Sequence, residues 1–146
     1  METKKATLFL FTLIFITVAS IIAWGLPIED YLSTYPFFMR FKWYPAWRVA
    51  LVNFFIWITL IILYTASMPE LLYPILLSAV FFVFFHYLCI AISSTAGYSY
   101  GFLPFIYYIT WKNGMKTFYL DLGQVVGVVT VLLFLNYLWK DRRKKG

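Results

Sequence analysis

Charge is scarce in this sequence: Asp, Glu, Lys and Arg together make up 12% of its 146 residues, about half the share of an ordinary soluble domain. With hydrophobic residues at 63%, too little polar surface exists to clothe a water-soluble fold, so the chain reads as a membrane protein. Cysteine occurs once, at Cys89. That excludes an intrachain disulfide and any two-thiol redox relay, and with them the quinone-linked disulfide enzymes. Histidine also occurs once, at His86, and a single imidazole neither ligates haem from both sides nor builds a zinc site alone. Gly-rich phosphate loops, nucleophile elbows and two-histidine metal motifs are all missing. The expectation is therefore no catalytic residue, no metal and no cofactor, with neither haem nor flavin in an absorption spectrum.

What is abundant is aromatic side chain: 16 Phe, 12 Tyr and 6 Trp, 23% of the chain. Amphipathic rings settle at headgroup depth, so this composition suits repeated crossings of a bilayer interface. The formal charge is +6, but the basic residues stand at the ends of apolar runs rather than along a stripe. They read as orientation signals and anionic-lipid contacts, not as a nucleic-acid surface.

Four apolar runs are long enough, at about 1.5 Å per residue, to cross a hydrocarbon core of about 30 Å. They predict helices at 6–26, 49–66, 68–93 and 117–139, in one integral membrane domain covering 1–146. The first run is longer than a signal peptide's apolar region and reads as a retained helix. Ser67-Met68-Pro69-Glu70 has capping-box spacing, which makes helices two and three a tight hairpin. Pro74 falls inside the third run and is expected to bend it. The connections 28–47 and 98–115 are too short to span and too apolar to lie in water. They are expected to lie in the headgroup layer as interfacial helices or re-entrant turns, a fifth short span at 102–111 being the alternative. The predicted fold is thus an all-α four-transmembrane-helix bundle with two aromatic-rich interfacial connections.

Polar residues within the hydrocarbon are costly, and each asks for a partner or a function. Helical rise places His86 about 9 Å from the outer end of helix three, with Asp121 and Gln124 about 6 and 10 Å below the outer end of helix four. Asn53 sits about 8 Å down helix two. These four share one level, while Arg48 and Lys116 stand just above them; Asn136 is the remaining intramembrane polar residue. One reading is a pocket open to the outer side, with Asp121 and His86 as a proton-accepting pair and Arg48 or Lys116 drawing in an anion or headgroup. The other is that the same groups bond across helices as glue. Thr12, Thr17 and Ser20 can bond to their own preceding turns. His86, Cys89 and Ser93 share a helix face, most simply as a polar seam. Gly123 and Gly127 have GxxxG spacing, suited to close helix contact. A shift of 68 residues aligns Trp43 with Trp111, Arg48 with Lys116 and Asn53 with Asp121, the register that a duplicated unit would leave.

Few reactive side chains, short connections and a basic tail favour a non-catalytic accessory, assembly or scaffold subunit that contacts lipid and other membrane subunits or itself. A ligand-binding or transport unit for an ion, quinone or lipid headgroup, using the polar level, is the alternative, and an enzyme acting on lipid or quinone comes third. The cluster from Lys140 to Lys145 holds five of the twelve basic residues. By the positive-inside rule it places the C-terminus in the cytoplasm of a cell membrane, and four crossings return Lys4 and Lys5 to the same side. Reporter fusions at Met1 and Gly146 are expected to report one and the same cytoplasmic face; opposite faces would exclude an even number of crossings.

Overall fold

The computed structural model describes residues 2–26, 41–65, 69–94 and 99–145. The chain is mostly helical: α1 (Glu2–Gly25), α2 (Tyr44–Thr65), α3 (Leu72–Ser94) and α4 (Leu122–Lys145). Within them, Ala6–Gly25, Tyr44–Tyr64, Leu72–Ser94 and Leu122–Lys140 are long and apolar enough to cross a membrane. Most of the first connection, and the Ser67 and Met68 half of the capping box, lie outside the described residues.

Helix α2 begins at Tyr44, earlier than expected, because Pro45 suits a first helical turn where its missing N–H has no partner to lose. Helix α3 follows a single 3-10 turn, Pro69–Leu71. Pro74 therefore sits in the first turn of the α-helix, where amide hydrogens lack intrahelical acceptors, and the bend expected there has no broken bond to cause it.

Helix α3 is the hub, touching each of the other three helices, and its broadest contact is with α2. Ala50 and Ala79 are small enough to bring helices close, and Trp57, Ile75, Phe82 and Val126 complete the buried core. Phe54 links Trp57 to Phe82, with ring centroids 6.0 Å and 5.2 Å away. Polar bonds cross between helices among the described residues: Asn53 Nδ2 donates to Ser20 Oγ at 3.0 Å, and Trp57 Nε1 to Thr130 Oγ1 at 3.0 Å. In an apolar surround each such bond contributes on the order of 0.6 kcal/mol and fixes rotation about the helix axis. Ser20 thus serves as a partner for α2, whereas Thr12 bonds back to Leu8 O at 2.8 Å as expected of a helical threonine. The outward faces are apolar, with Phe11, Ile21 and Leu132 among the most exposed side chains.

The second connection overturns the all-α expectation. It is an antiparallel sheet in the order β1 (Ser99–Leu103), β2 (Ile106–Thr110), β3 (Lys116–Leu120). Tyr, Phe, Ile and Thr at these positions are strand formers, and pairing three strands satisfies the backbone of a segment too short to span. The segment 99–120 holds these three strands and no helix, so neither an interfacial helix nor a fifth helical span occurs there. Thr117 to Leu120 belong to β3, so the fourth helix starts at Leu122 and runs on through the basic tail to Lys145. The 68-residue shift fails for the same reason: it aligns Arg48, in a helix, with Lys116, in a strand.

Both hairpin turns have a positive-φ residue. Lys112, Asn113 and Gly114 form a three-residue loop in which Gly114 N–H donates to Trp111 O at 2.9 Å and Gly114 adopts φ 81°. Between β1 and β2, Pro104 and Phe105 make a two-residue turn of type II pattern, with Phe105 at φ 61° where glycine is usual. Phe105 is exposed, so its side chain returns little packing for that conformation. Phe105→Gly is accordingly expected to stabilise the protein by about 1 kcal/mol and Gly114→Ala to destabilise it by a similar amount, read as opposite Tm shifts in detergent.

Candidate functional site

Asp121 stands between β3 and α4, and its side chain is fully buried. It is the N-cap of α4: its Oδ1 accepts the Gln124 N–H at 3.1 Å, and its backbone oxygen accepts the Val125 N–H at 3.2 Å. Gln124, three residues on, also donates from its side-chain Nε2 to Asp121 Oδ2 at 2.9 Å, a side-chain bond in place of the backbone bond that would complete a capping box. The helix N-terminus also favours negative charge at this point. From α3, the Tyr87 hydroxyl bridges both carboxylate oxygens at 3.2 and 3.0 Å.

His86 comes from the same turn of α3. Its Nε2 lies 3.3 Å from Asp121 Oδ1, close enough for an ionic contact, yet this buried nitrogen makes no aligned hydrogen bond. The geometry is thus that of a near neighbour, in contrast to the directed bonds from Tyr87 and Gln124.

Gln124 extends the web into the sheet. Its Nε2 donates to Leu103 O at 3.0 Å and its Oε1 accepts the Phe105 N–H at 2.9 Å, while the Asp121 N–H donates to Phe105 O at 2.9 Å. The strained Pro104-Phe105 turn is therefore held at both of its flanking backbone groups by the first turn of α4. Gly123 makes room for all of this. A Cβ there would fall 2.8 Å from His86 Cδ2 and 3.0 Å from Tyr87 Cε2, closer than packed carbons approach.

Of the residues singled out in the sequence, the structure thus brings together Asp121, His86, Gln124 and Gly123. Asp121 is not one turn inside the fourth helix but at its tip. Asn53 is fully buried elsewhere, donating to Ser20 Oγ and to Val49 O, and its Oδ1 accepts no hydrogen bond among the described residues. Arg48 is buried on α2, and neither it nor Lys116 is among the partners of Asp121. Lys116 lies on the far face of the sheet with its ammonium 4.9 Å above the Tyr108 ring. Gly127 faces open space, so the GxxxG spacing serves one intrachain contact rather than two. Asn136 is exposed.

Aromatic residues that sequence reasoning did not single out as a site, Trp43 and Trp111 having entered only as partners in the 68-residue register, define the space beside this web. Trp43 and Trp47, four apart near the start of α2, face Tyr100, Tyr107 and Tyr119 of the sheet. Trp111 completes the rim of a cavity of about 390 Å³, with Cys89 and Ser93 on its α3 side. A second cavity of about 310 Å³ shares Trp47, Cys89, Ile90, Tyr107 and Tyr119 with the first and reaches His86. Together they form one groove between bundle and sheet. The rings hold the sheet away from the helices: Tyr107 stacks on Tyr119 at 5.3 Å and lies 6.3 Å from the His86 ring. Burial, with Tyr119 close by, pushes the Tyr107 hydroxyl up to about 12, so it stays protonated at physiological pH. Among the described residues no Lys, Arg, Asp or Glu lines either cavity.

The signal that could have found these residues is local. Trp43 stands just before α2 and Trp47 one turn later, with the Trp47 N–H donating to Trp43 O at 3.1 Å, and Tyr107 and Ile109 alternate toward one face of a strand. Among the described residues, His86 Nε2 is the web's buried polar side-chain atom without a hydrogen bond, and the two cavities are the open space beside it. Comparison with known proteins adds no relative: no family model, no curated protein and no solved structure matches the chain.

The close approach of α3 and α4 at Gly123 sets a test of the site's construction. Gly123→Ala is expected to destabilise the protein by about 1–3 kcal/mol, because His86 and Tyr87 must move off Asp121. Gly127→Ala is expected to be neutral or to stabilise by up to about 1 kcal/mol, as alanine is the better helix former. Thermal melts of the two variants in one detergent make the comparison.

Proposed function

We propose that this chain is a small multi-pass membrane protein that works by binding rather than by catalysis, holding an amphiphilic molecule in the groove between its sheet and its helices. The observation that carries the reading is the groove itself, walled by Trp43, Trp47, Tyr100, Tyr107 and Tyr119 and reaching the His86 edge. Ligand sites are typically concave and largely apolar, with a few placed polar groups, and these cavities have that make-up. In this proposal the four helices cross the cell membrane with both termini in the cytoplasm. The sheet then lies at the outer headgroup layer, where exposed Phe102, Phe118 and Leu120 meet lipid. An amphiphile would enter from the bilayer, its apolar body among the rings and its head near His86.

The polar web has a separate role in this reading. Asp121 takes directed bonds from the Tyr87 hydroxyl and from the Gln124 backbone and side chain, so the carboxylate is a lock that fixes one wall of the groove against the other. A second reading, a scaffold for partner helices, is favoured by the outer face of α4. There Gly127 meets open space, and Val131, Leu135 and Leu138 are exposed close by in the helix.

Cys89 is the chain's single cysteine, and it lines both cavities. It reports occupancy directly. A bound amphiphile is expected to slow maleimide labelling of Cys89 saturably, with half-protection shifted at least fivefold upward in Trp47→Ala or Tyr107→Ala. Labelling that no single-chain amphiphile slows, in folded wild-type protein, would remove the groove as a binding site and leave the scaffold reading.

A further inference from the structure

The chemistry of the groove also specifies the charge of what it takes. Six aromatic residues, Trp43, Trp47, Tyr100, Tyr107, Trp111 and Tyr119, line the larger cavity. Among the described residues no Lys or Arg lines either cavity, so these walls give an anionic head no counter-charge. The charged group next to the groove has the opposite sign. Asp121 lies 3.3 Å from the buried Nε2 of His86, a residue that lines the smaller cavity, and its directed donors, Tyr87 and Gln124, are neutral. The α4 N-terminus offsets part of that negative potential, but a helix end carries only about half an elementary charge.

Ring faces carry partial negative charge and attract cations, most strongly where water is excluded. The kind of cation follows from the hydrogen-bonding groups. A primary ammonium brings three N–H donors, each of which needs an acceptor once dehydrated. Among the described residues the hydroxyl acceptors of the larger cavity are Ser93 Oγ, which donates to Cys89 O at 2.8 Å and keeps lone pairs to accept, and the Tyr hydroxyls at the ring edges, all of them neutral. A quaternary ammonium has no N–H to satisfy and presents a methylated, weakly hydrated surface suited to a wall of rings.

Resting on the groove-binding reading, we propose that the site recognises a quaternary ammonium group, such as the choline head of a zwitterionic amphiphile, through its six-ring wall and the carboxylate of Asp121 behind it. The phosphate of such a head would remain at the open, solvent side of the groove, since the lining supplies it no cation. Trp47 has the central part, because it lines both cavities and its ring stacks 5.6 Å from that of Tyr44.

The test compares two amphiphiles on wild-type protein in nanodiscs of neutral galactolipid: dodecylphosphocholine, and its isostere in which a tert-butyl carbon replaces the trimethylammonium nitrogen. Both have the same chain, phosphate and shape. Protection of Cys89 from maleimide is the readout, after each probe's partition into empty nanodiscs has been divided out. The phosphocholine is expected to protect at roughly tenfold lower concentration, the size of a partly desolvated cation–π preference. Equal protection by both probes would overturn the ammonium assignment and leave the groove-binding reading standing; protection by neither would overturn both. In a folded Trp47→Leu variant the preference is expected to fall to twofold or less, and in Trp47→Phe, which keeps a ring, to survive in large part. A preference undiminished in the leucine variant would also overturn the assignment to this wall.

Discussion

The buried carboxylate of Asp121 is the joint on which this structure turns. It caps α4, takes the hydroxyl of Tyr87 from α3, and through Gln124 reaches the turn between β1 and β2. Burying an ion without partners costs several kcal/mol, and here each of its oxygens is served. Hydrogen bonds to a charged acceptor contribute about 1.5–3 kcal/mol apiece, roughly twice a neutral pair. The same bonds define geometry: two helices and a hairpin meet at one atom group, so the sheet has a fixed seat although few of its backbone atoms approach the helices. The positive φ of Phe105 is tolerable because Gln124 and Asp121 hold the turn on both sides.

Much of the helical architecture is legible from composition, because four long apolar runs separated by polar or aromatic punctuation have few alternatives. The sheet was not, for a physical reason. Strands are usually betrayed by alternation of apolar and polar residues, but 99–120 is apolar on both faces. Tyr107 and Ile109 look toward the groove while Tyr108 lies across Gly101 on the other side. Read as a length of oily chain, the segment resembles an interfacial helix. Two local signals pointed the other way: Asn113-Gly114, a hairpin pair with the glycine in the left-handed region, and Asp121 with Gln124 three residues later, a helix start. Following them would have ended the fourth helix's N-terminal extension at Leu120 and moved Asp121 to the tip.

The site was legible in part. His86, Asp121 and Gln124 stand out as polar residues in apolar surroundings, and their approach follows from antiparallel α3 and α4 once the helix start is right. Asn53 stands out equally, yet it faces α1 and ties to Ser20; depth along a helix says nothing of the direction a side chain takes around it. Tyr87 and the groove aromatics were hidden by abundance. In a chain with 34 rings by composition, no single ring draws notice until the fold gathers six of them around one space.

Helix α4 has a further property that follows from its continuity. It is 24 residues without a break, about 36 Å of rod, capped by Asp121 at one tip and carrying Lys140, Arg142 and Arg143 toward the other, where the Arg143 guanidinium rests 3.6 Å above Trp139. A rod without a hinge moves as a lever. A tilt or axial slide of its cationic foot is therefore carried along the rod to its capped head, where the hairpin is fastened.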